Sequence, residues 1–169
     1  ARFHIQIEEK ADWGADGKDK VEFLISANAG EPLKPLAKIA SGGEMSRVML
    51  ALKTVLVDAD EIGTFIFDEI DAGISGKTAW KVSEKLGILG RTHQIICITH
   101  LPQIAAMADH HFYIEKNATD HSTATTITEL SEADSLKELA RLSGAAQLTE
   151  SVLANAKEMK DLAEKKKQN

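Results

Sequence analysis

The chain has 169 residues, a formal net charge of -6 and a pI near 5.5, a length that suits one domain with a real core. That acidity excludes a surface that holds nucleic acid by phosphate neutralisation alone, and a composition of 43% hydrophobic and 27% charged residues excludes a disordered or low-complexity chain. The single cysteine, Cys97, excludes an internal disulfide and reads as a buried small hydrophobe of a cytosolic protein, while no apolar run approaches the roughly 20 residues that cross a bilayer.

From the N-terminus, RFHIQIEE places Phe3, Ile5 and Ile7 on one face, and KVEFLISAN does the same with Val21, Phe23 and Ile25. The alternation predicts a β-hairpin, with ADWGADGKD as a long loop. The chain opens inside a strand pattern and without methionine, as a fragment with a missing upstream part would. AGEPLKPLAK carries Pro32 and Pro35 and is expected to be extended. In SGGEMSRVMLALKTVL, apolar Met45, Val48, Met49, Leu52, Val55 and Leu56 recur at helical spacing, so a helix is expected from near Gly42.

GTFIFDE is a short, continuously apolar strand that ends in acids, and QIICIT is a second strand of the fully buried type, ending at His100. Between them a helix carries Ala79, Val82 and Leu86 on one face. Pro102 suits a helix start, HFYIEK and TATTITEL alternate as an antiparallel pair, and two C-terminal helices follow, the first stopping at Gly144 and the second capped by Thr149 with Leu148 and Leu153 as a staple. Strand, helix, strand, helix implies an α/β fold with a parallel core, right-handed crossovers and flanking antiparallel strands. Lys165 to Lys167 read as a helix C-terminal complement or a solvated tail.

The chemistry gathers at three places. Asp68 and Glu69 end an apolar strand, at the edge of a parallel sheet where open α/β folds bind ligands; a bend there lets one acid serve Mg²⁺ and the other a water. Ser41 and Glu44 make a capping box, which leaves the successive Gly42 and Gly43 to be explained. Glycines at a helix N-terminus bring backbone N–H groups close to something, an anion being the natural choice. His100 can reach the same sheet edge from a neighbouring strand. The GKT of DEIDAGISGKTAW imitates the end of a phosphate-binding loop, but Gly-x-x-x-x-Gly-Lys-Ser/Thr requires glycine where this chain has Asp71.

The ordered set of SGGE, apolar-DE, DAGISG and a strand ending in His resembles the C-terminal half of an ABC-type ATPase head of the SMC-like kind. Within that superfamily, IASGGEMSRVMLALKTVL, FIFDEIDAGISGKTA and ITHLPQIAAMADHHFYIEK resemble the RecN family of bacterial DNA repair proteins. The resemblance covers essentially the whole chain. It implies a head assembled from both ends of a longer protein around a coiled coil, with this chain as its C-terminal lobe.

It also implies roles. Asp68 would hold Mg²⁺ through water, Glu69 would orient or deprotonate the attacking water, and His100 would be the switch histidine on the γ-phosphate. Asp71 would belong to the D-loop facing a second head, and Ser41, Gly42, Gly43 and Glu44 would form the signature segment that grips ATP held by that head. Residues 1–35 would be hairpin and lead-in, 36–120 the motif core, and 121–169 a strand and helices. The implied partners are the N-terminal half carrying Walker A, a second head in an ATP-dependent homodimer, and DNA through the assembled protein, in the bacterial cytoplasm at the nucleoid and with no membrane role. Three alternatives stand beside this: another SMC-like or ABC-type ATPase half, a small P-loop NTPase using Lys77 and Thr78, and a non-catalytic interaction module.

Overall fold

The computed structural model describes residues 1–26, 30–38, 41–57, 62–119 and 122–168. Alternating apolar residues at the N-terminus form a hairpin of β1 (Arg2–Gly14) and β2 (Gly17–Ser26), paired with Ile5 opposite Phe23 and Ile7 opposite Val21. The expected long loop is mostly strand: the pairing continues to Gly14 and Gly17, with an irregular register after Glu9. Gly17 takes φ 95, a left-handed conformation that costs glycine little and lets the chain turn within two residues. A two-residue β3 (Lys34–Pro35) adds to β2, and a single 3-10 turn, Leu36–Lys38, follows.

Helix α1 (Gly42–Val55) leads to β4 (Thr64–Phe67), α2 (Gly76–Leu89) and β5 (Gln94–Cys97). β4 and β5 pair in parallel, Phe67 opposite Cys97, as the strand–helix–strand order requires. The core beneath this pair takes Phe65 and Phe67 from β4, Val82, Leu86 and Leu89 from α2, Leu50 from α1, and Ile70 and Ile104. The predicted face of α2 is therefore the buried one.

The predicted face of α1 is not. Val55 and Leu56 are exposed, Met49 is partly so, and the fully buried residues are Gly43 and Leu50. The helix packs on the loop after β4 through its glycine end and enters the core through Leu50, so its wider apolar stripe lacks cover among the described residues. β4 and β5 differ from expectation in the same way. Apolar residues on both faces of a strand mark a sheet covered on both sides, yet Ile66, Ile96 and Ile98 lie 68%, 45% and 49% exposed.

A short α3 (Pro102–Ala105) precedes β6 (Phe112–Thr119) and β7 (Ser122–Glu129), an antiparallel pair with Ile114 opposite Ile127. Helices α4 (Glu132–Leu142) and α5 (Glu150–Gln168) complete the chain. Ser131 caps α4 by accepting from the Asp134 N–H at 3.2 Å, Gly144 past its end takes φ 85, and Val152 N–H donates to the Thr149 hydroxyl at the start of α5. Small residues allow these helices to approach: Ala105, Ala106, Ala140, Ala156 and Ala163 surround Leu139 and Met107 in a second core. The C-terminal lysines are less free than a solvated tail. Lys166 pairs with Glu84 of α2, and Lys167 pairs with Asp109 at 2.6 Å, so the last turn of α5 is tied to the body.

Candidate functional site

β4 delivers its two acids as the sheet ends. The ladder continues one step past it, with Ile98 N–H donating to Phe67 O at 3.0 Å, after which Asp68 and Glu69 are exposed and Ile70 is fully buried. Glu69 has φ 56, the single non-glycine residue with positive φ among those described. A side chain held there costs about 1–3 kcal/mol and persists only where the surroundings enforce it, a pattern that clusters at functional sites.

The surroundings that enforce it come from α1. Ser46 Oγ donates to Asp68 O at 2.9 Å, and Arg47 Nη1 donates to Ile70 O at 3.0 Å and Ala72 O at 2.9 Å. Helix and loop are thus joined by three bonds on either side of Glu69. The two glycines explain the closeness. A Cβ on Gly43 would lie 2.8 Å from Glu69 O and 2.9 Å from Ala72 Cβ, and one on Gly42 would lie 2.5 Å from Glu69 Oε2. What these glycines approach is the acid loop of the same chain, and Glu69 brings its carboxylate to the amino end of α1, where the helix dipole favours negative charge. Ser41 is the N-cap, its hydroxyl accepting from Glu44 N–H at 3.4 Å.

His100 reaches the same sheet edge from β5. Its neighbour there is Asp71, whose side chain is turned inward and only 3% exposed. Asp71 Oδ2 accepts from Thr99 Oγ1 at 2.6 Å and from His100 N–H at 2.8 Å, and lies 3.0 Å from His100 Nδ1. The ring itself is exposed, at 71% for the side chain. Six of the eight residues expected at the site are therefore connected: Gly42 and Gly43 touch Glu69 or its loop, Asp68 and Asp71 flank Glu69 in that loop, and Asp71 holds His100. Ser41 and Glu44 stand at the cap of the same helix.

Asp68 offers an exposed carboxylate whose Oδ1 accepts from Glu69 N–H at 2.9 Å. One carboxylate suits Mg²⁺, which keeps most of its waters and completes its shell with phosphate oxygens; among the described residues no group of three or more His, Cys, Asp or Glu gathers as a protein cage would require.

Cys97, beneath the acids, is half-buried. Its thiol is pushed up to about 12, first by burial and then by the negative charges of Asp71 and Asp68. Such a thiol stays protonated and unreactive at neutral pH. Alkylation by iodoacetamide at pH 7.5 is expected to be at least tenfold slower in the folded chain than in urea. Since the folded state holds this proton more tightly than the unfolded state, its contribution to stability is present below the unfolded value of 9.0 and is lost as pH rises towards 12.

The sequence did not single out Ser46, Arg47 or Thr99. Arg47 carried a signal, a cation four residues after Gly43 and three before Leu50 and so on the same face of the helix as both; Thr99, one residue before the histidine, carried none. Lys77 and Thr78 are exposed on the first turn of α2, and the loop before them takes positive φ at Gly73 and Gly76, with Asp71 aimed inward.

No family model matches the chain. It is 44% identical over 162 residues to the DNA repair protein RecN of Halalkalibacterium halodurans, covering 96% of this chain and 29% of that protein. It is 51% identical over 164 residues to the DNA repair protein RecN of Treponema pallidum, covering 94% and 29%. The chain thus spans under a third of the length of these relatives. Among solved structures it is similar to the Smc head domain with a coiled coil and joint derived from Pyrococcus yayanosii, with a TM-score of 0.53 and 25% identity, over 76% of this chain and 23% of that one.

Proposed function

The chain belongs to the RecN family, matching the C-terminal part of its members, and it folds as the C-terminal lobe of an SMC-type ATPase head; on that premise we propose that it supplies the hydrolytic edge of an ATP site completed by other parts of a DNA repair protein. The observation that carries this is the contact of the SGGE helix with Glu69 at the sheet edge that also presents Asp68 and His100. Phosphoryl transfer needs positioning and charge stabilisation more than covalent chemistry, and these groups are of the right kinds for it.

Asp68 would hold Mg²⁺ through water, and the ion when bound would neutralise charge on the phosphate oxygens. Glu69 accepts a hydrogen bond from the attacking water and aims it, taking its proton as the bond to phosphorus forms and the bond to the bridging oxygen breaks, with ADP as the leaving group. His100 presents its outward nitrogen to the γ-phosphate. Ser41, the backbone amides at Gly42 and Gly43, and Glu44 grip ATP held by a second head, and the 68–76 loop, with Asp71 as its inner anchor, lies between the two sites.

Three uncovered apolar faces support the N-terminal half of the same protein as the missing partner: Phe3, Ile5, Ile7, Val21 and Phe23 on the hairpin, Ile66, Ile96 and Ile98 on the parallel pair, and Phe112, Ile114 and Ile127 on β6 and β7. Contiguous exposed apolar surface of this kind marks an interface. Residues 1–35 would seat that lobe, 36–120 would carry the chemistry and 121–169 would brace it. DNA would be engaged by the assembled protein, since this chain is acidic, and the assembly would work in the cytoplasm. Among the described residues no helix is long and apolar enough to cross a membrane.

The isolated chain is expected to hydrolyse no ATP, and addition of the N-terminal half of the protein to restore turnover that DNA stimulates. Turnover by the isolated chain at the rate of the mixture would overturn the proposal. In the mixture, Lys77→Ala is expected to change the ATP dissociation constant by less than about twofold, as befits a solvated side chain; loss of binding would instead favour a phosphate loop at 71–78.

A further inference from the structure

We propose that the exposed face of α2 is where this lobe meets duplex DNA, through a stripe of lysines that holds the phosphate backbone. This rests on the reading that the assembled protein engages DNA, and it names the surface of this chain that takes part.

Helix α2 carries Lys77, Lys81 and Lys85, four residues apart and therefore on one face. The buried Ala79, Ser83 and Leu86 lie on the other side, and all three lysines are exposed. Among the described residues none of the three belongs to an ion pair. The single acid of the helix, Glu84, is already taken: Lys166 of α5 pairs with it and lies over the Trp80 ring at 5.9 Å. Arg91, just past the helix, donates from Nη2 to Lys167 O and adds a cation at the same end. In a chain of net charge -6, positive charge is thus gathered along one helix, the footprint that a polyanion selects. The stripe is a contribution to a DNA site and not the whole of it, as the acidity of the chain requires.

The dimensions fit. A rise of about 1.5 Å per residue sets Lys77 and Lys85 about 12 Å apart along the helix axis, and a DNA strand carries one phosphate per roughly 3.4 Å of its axis. Three ammonium groups on flexible stems can therefore each meet a phosphate of one strand. Lysine is a point charge without the planar fork that reads a base edge, so the contact is independent of sequence. The one aromatic ring of α2, Trp80, is half-buried, which leaves the bases of a single strand nothing to stack on. The duplex backbone is the form that suits this surface. Since α2 begins where the 68–76 loop ends, DNA held at Lys77 bears on the element that anchors the loop of Asp68 and Glu69, a short route from DNA to turnover.

The test is binding of a fluorescently labelled duplex of mixed sequence to the complete protein with ATP, followed by anisotropy across a salt series. Each neutralised phosphate contributes about 0.9 to the slope of log affinity against log salt. Lys81→Gln/Lys85→Gln is expected to make that slope shallower by about 1.8, and Lys77→Gln added to the pair by about 2.7, with equal losses on unrelated sequences. Lys137→Gln/Lys157→Gln, an equal loss of charge on α4 and α5, leaves the slope in place. In the triple variant the DNA concentration for half-maximal stimulation of ATPase rises about tenfold or more, while turnover without DNA stays within about twofold of native. The lysines are exposed and have no partner to lose, so these variants fold as the native protein does. A triple variant with native affinity and salt slope overturns the proposal, as does an equal change in slope for the two double variants. A native complete protein that binds no duplex at low salt removes the reading on which the proposal rests, and the proposal with it.

Discussion

Glu69→Gln in the complete protein is expected to lower ATP turnover by about 10²–10⁴-fold, the usual worth of a positioned general base, while ATP affinity stays within about threefold. Glutamine keeps the length, the shape and the left-handed backbone, so nothing that binds nucleotide is disturbed. It loses the ability to take a proton from water. Steady-state ATPase assays and equilibrium titration with a fluorescent nucleotide separate the two quantities, and a kcat within threefold of native would remove Glu69 from the chemistry. Glu69→Gly is the complementary variant. Since φ 56 suits glycine, this change is expected to raise the stability of the chain by about 1 kcal/mol in urea unfolding and to abolish turnover, so that one position separates stability from activity.

Gly43→Ala should be the most damaging methyl group in the chain. The added carbon would meet Glu69 O at 2.8 Å and Ala72 Cβ at 2.9 Å, both fixed by backbone, so α1 must move off the loop. Overpacking of this kind costs about 1–3 kcal/mol, against which alanine returns up to about 1 kcal/mol of helix propensity. The displacement also stretches the Arg47 bonds to Ile70 O and Ala72 O, so turnover is expected to fall at least tenfold. Gly42→Ala makes the contrast. Its methyl would meet only Glu69 Oε2, at 2.5 Å, the free end of a side chain that can swing. Stability should hold to within about 0.5 kcal/mol, and the loss should fall on kcat because the carboxylate is re-aimed. Equal unfolding midpoints for Gly43→Ala and native chain would show that the close approach is not enforced.

Where a segment's burial is decided by neighbours within the chain, the sequence was readable. Ala79, Val82 and Leu86 recur at helical spacing and are buried, and the acid pair and His100 fall at one sheet edge because two parallel strands end there. Where the neighbour lies elsewhere, pattern and structure part. Ile66 and Ile96 read as core and stand exposed, as do Val55 and Leu56, because periodicity reports that a face is apolar and not what covers it. The hairpin turn was misplaced for a local reason: Gly14 and Gly17 punctuate the sequence as a loop would, but they close a two-residue turn between continuing strands. Within the site, residue types were legible and their partners were not. SGGE suggested amides near an anion, and the structure brings to it the chain's own Glu69; nothing in DEID told that Asp71 would turn inward to Thr99 and His100.

The uncovered face of the parallel pair has a thermodynamic meaning. Ile66, Ile96 and Ile98 keep their hydration in the isolated chain, and whatever buries them binds the native state and not the unfolded one. Melting temperature then becomes a function of that segment's concentration, rising as the logarithm of its excess over the dissociation constant. Tethering within one polypeptide replaces a bulk concentration by an effective one, in the millimolar range for short flexible linkers. For a lobe separated from its complement by a long insertion, the geometry of the intervening coil would therefore set the stability of the fold as much as its own core does.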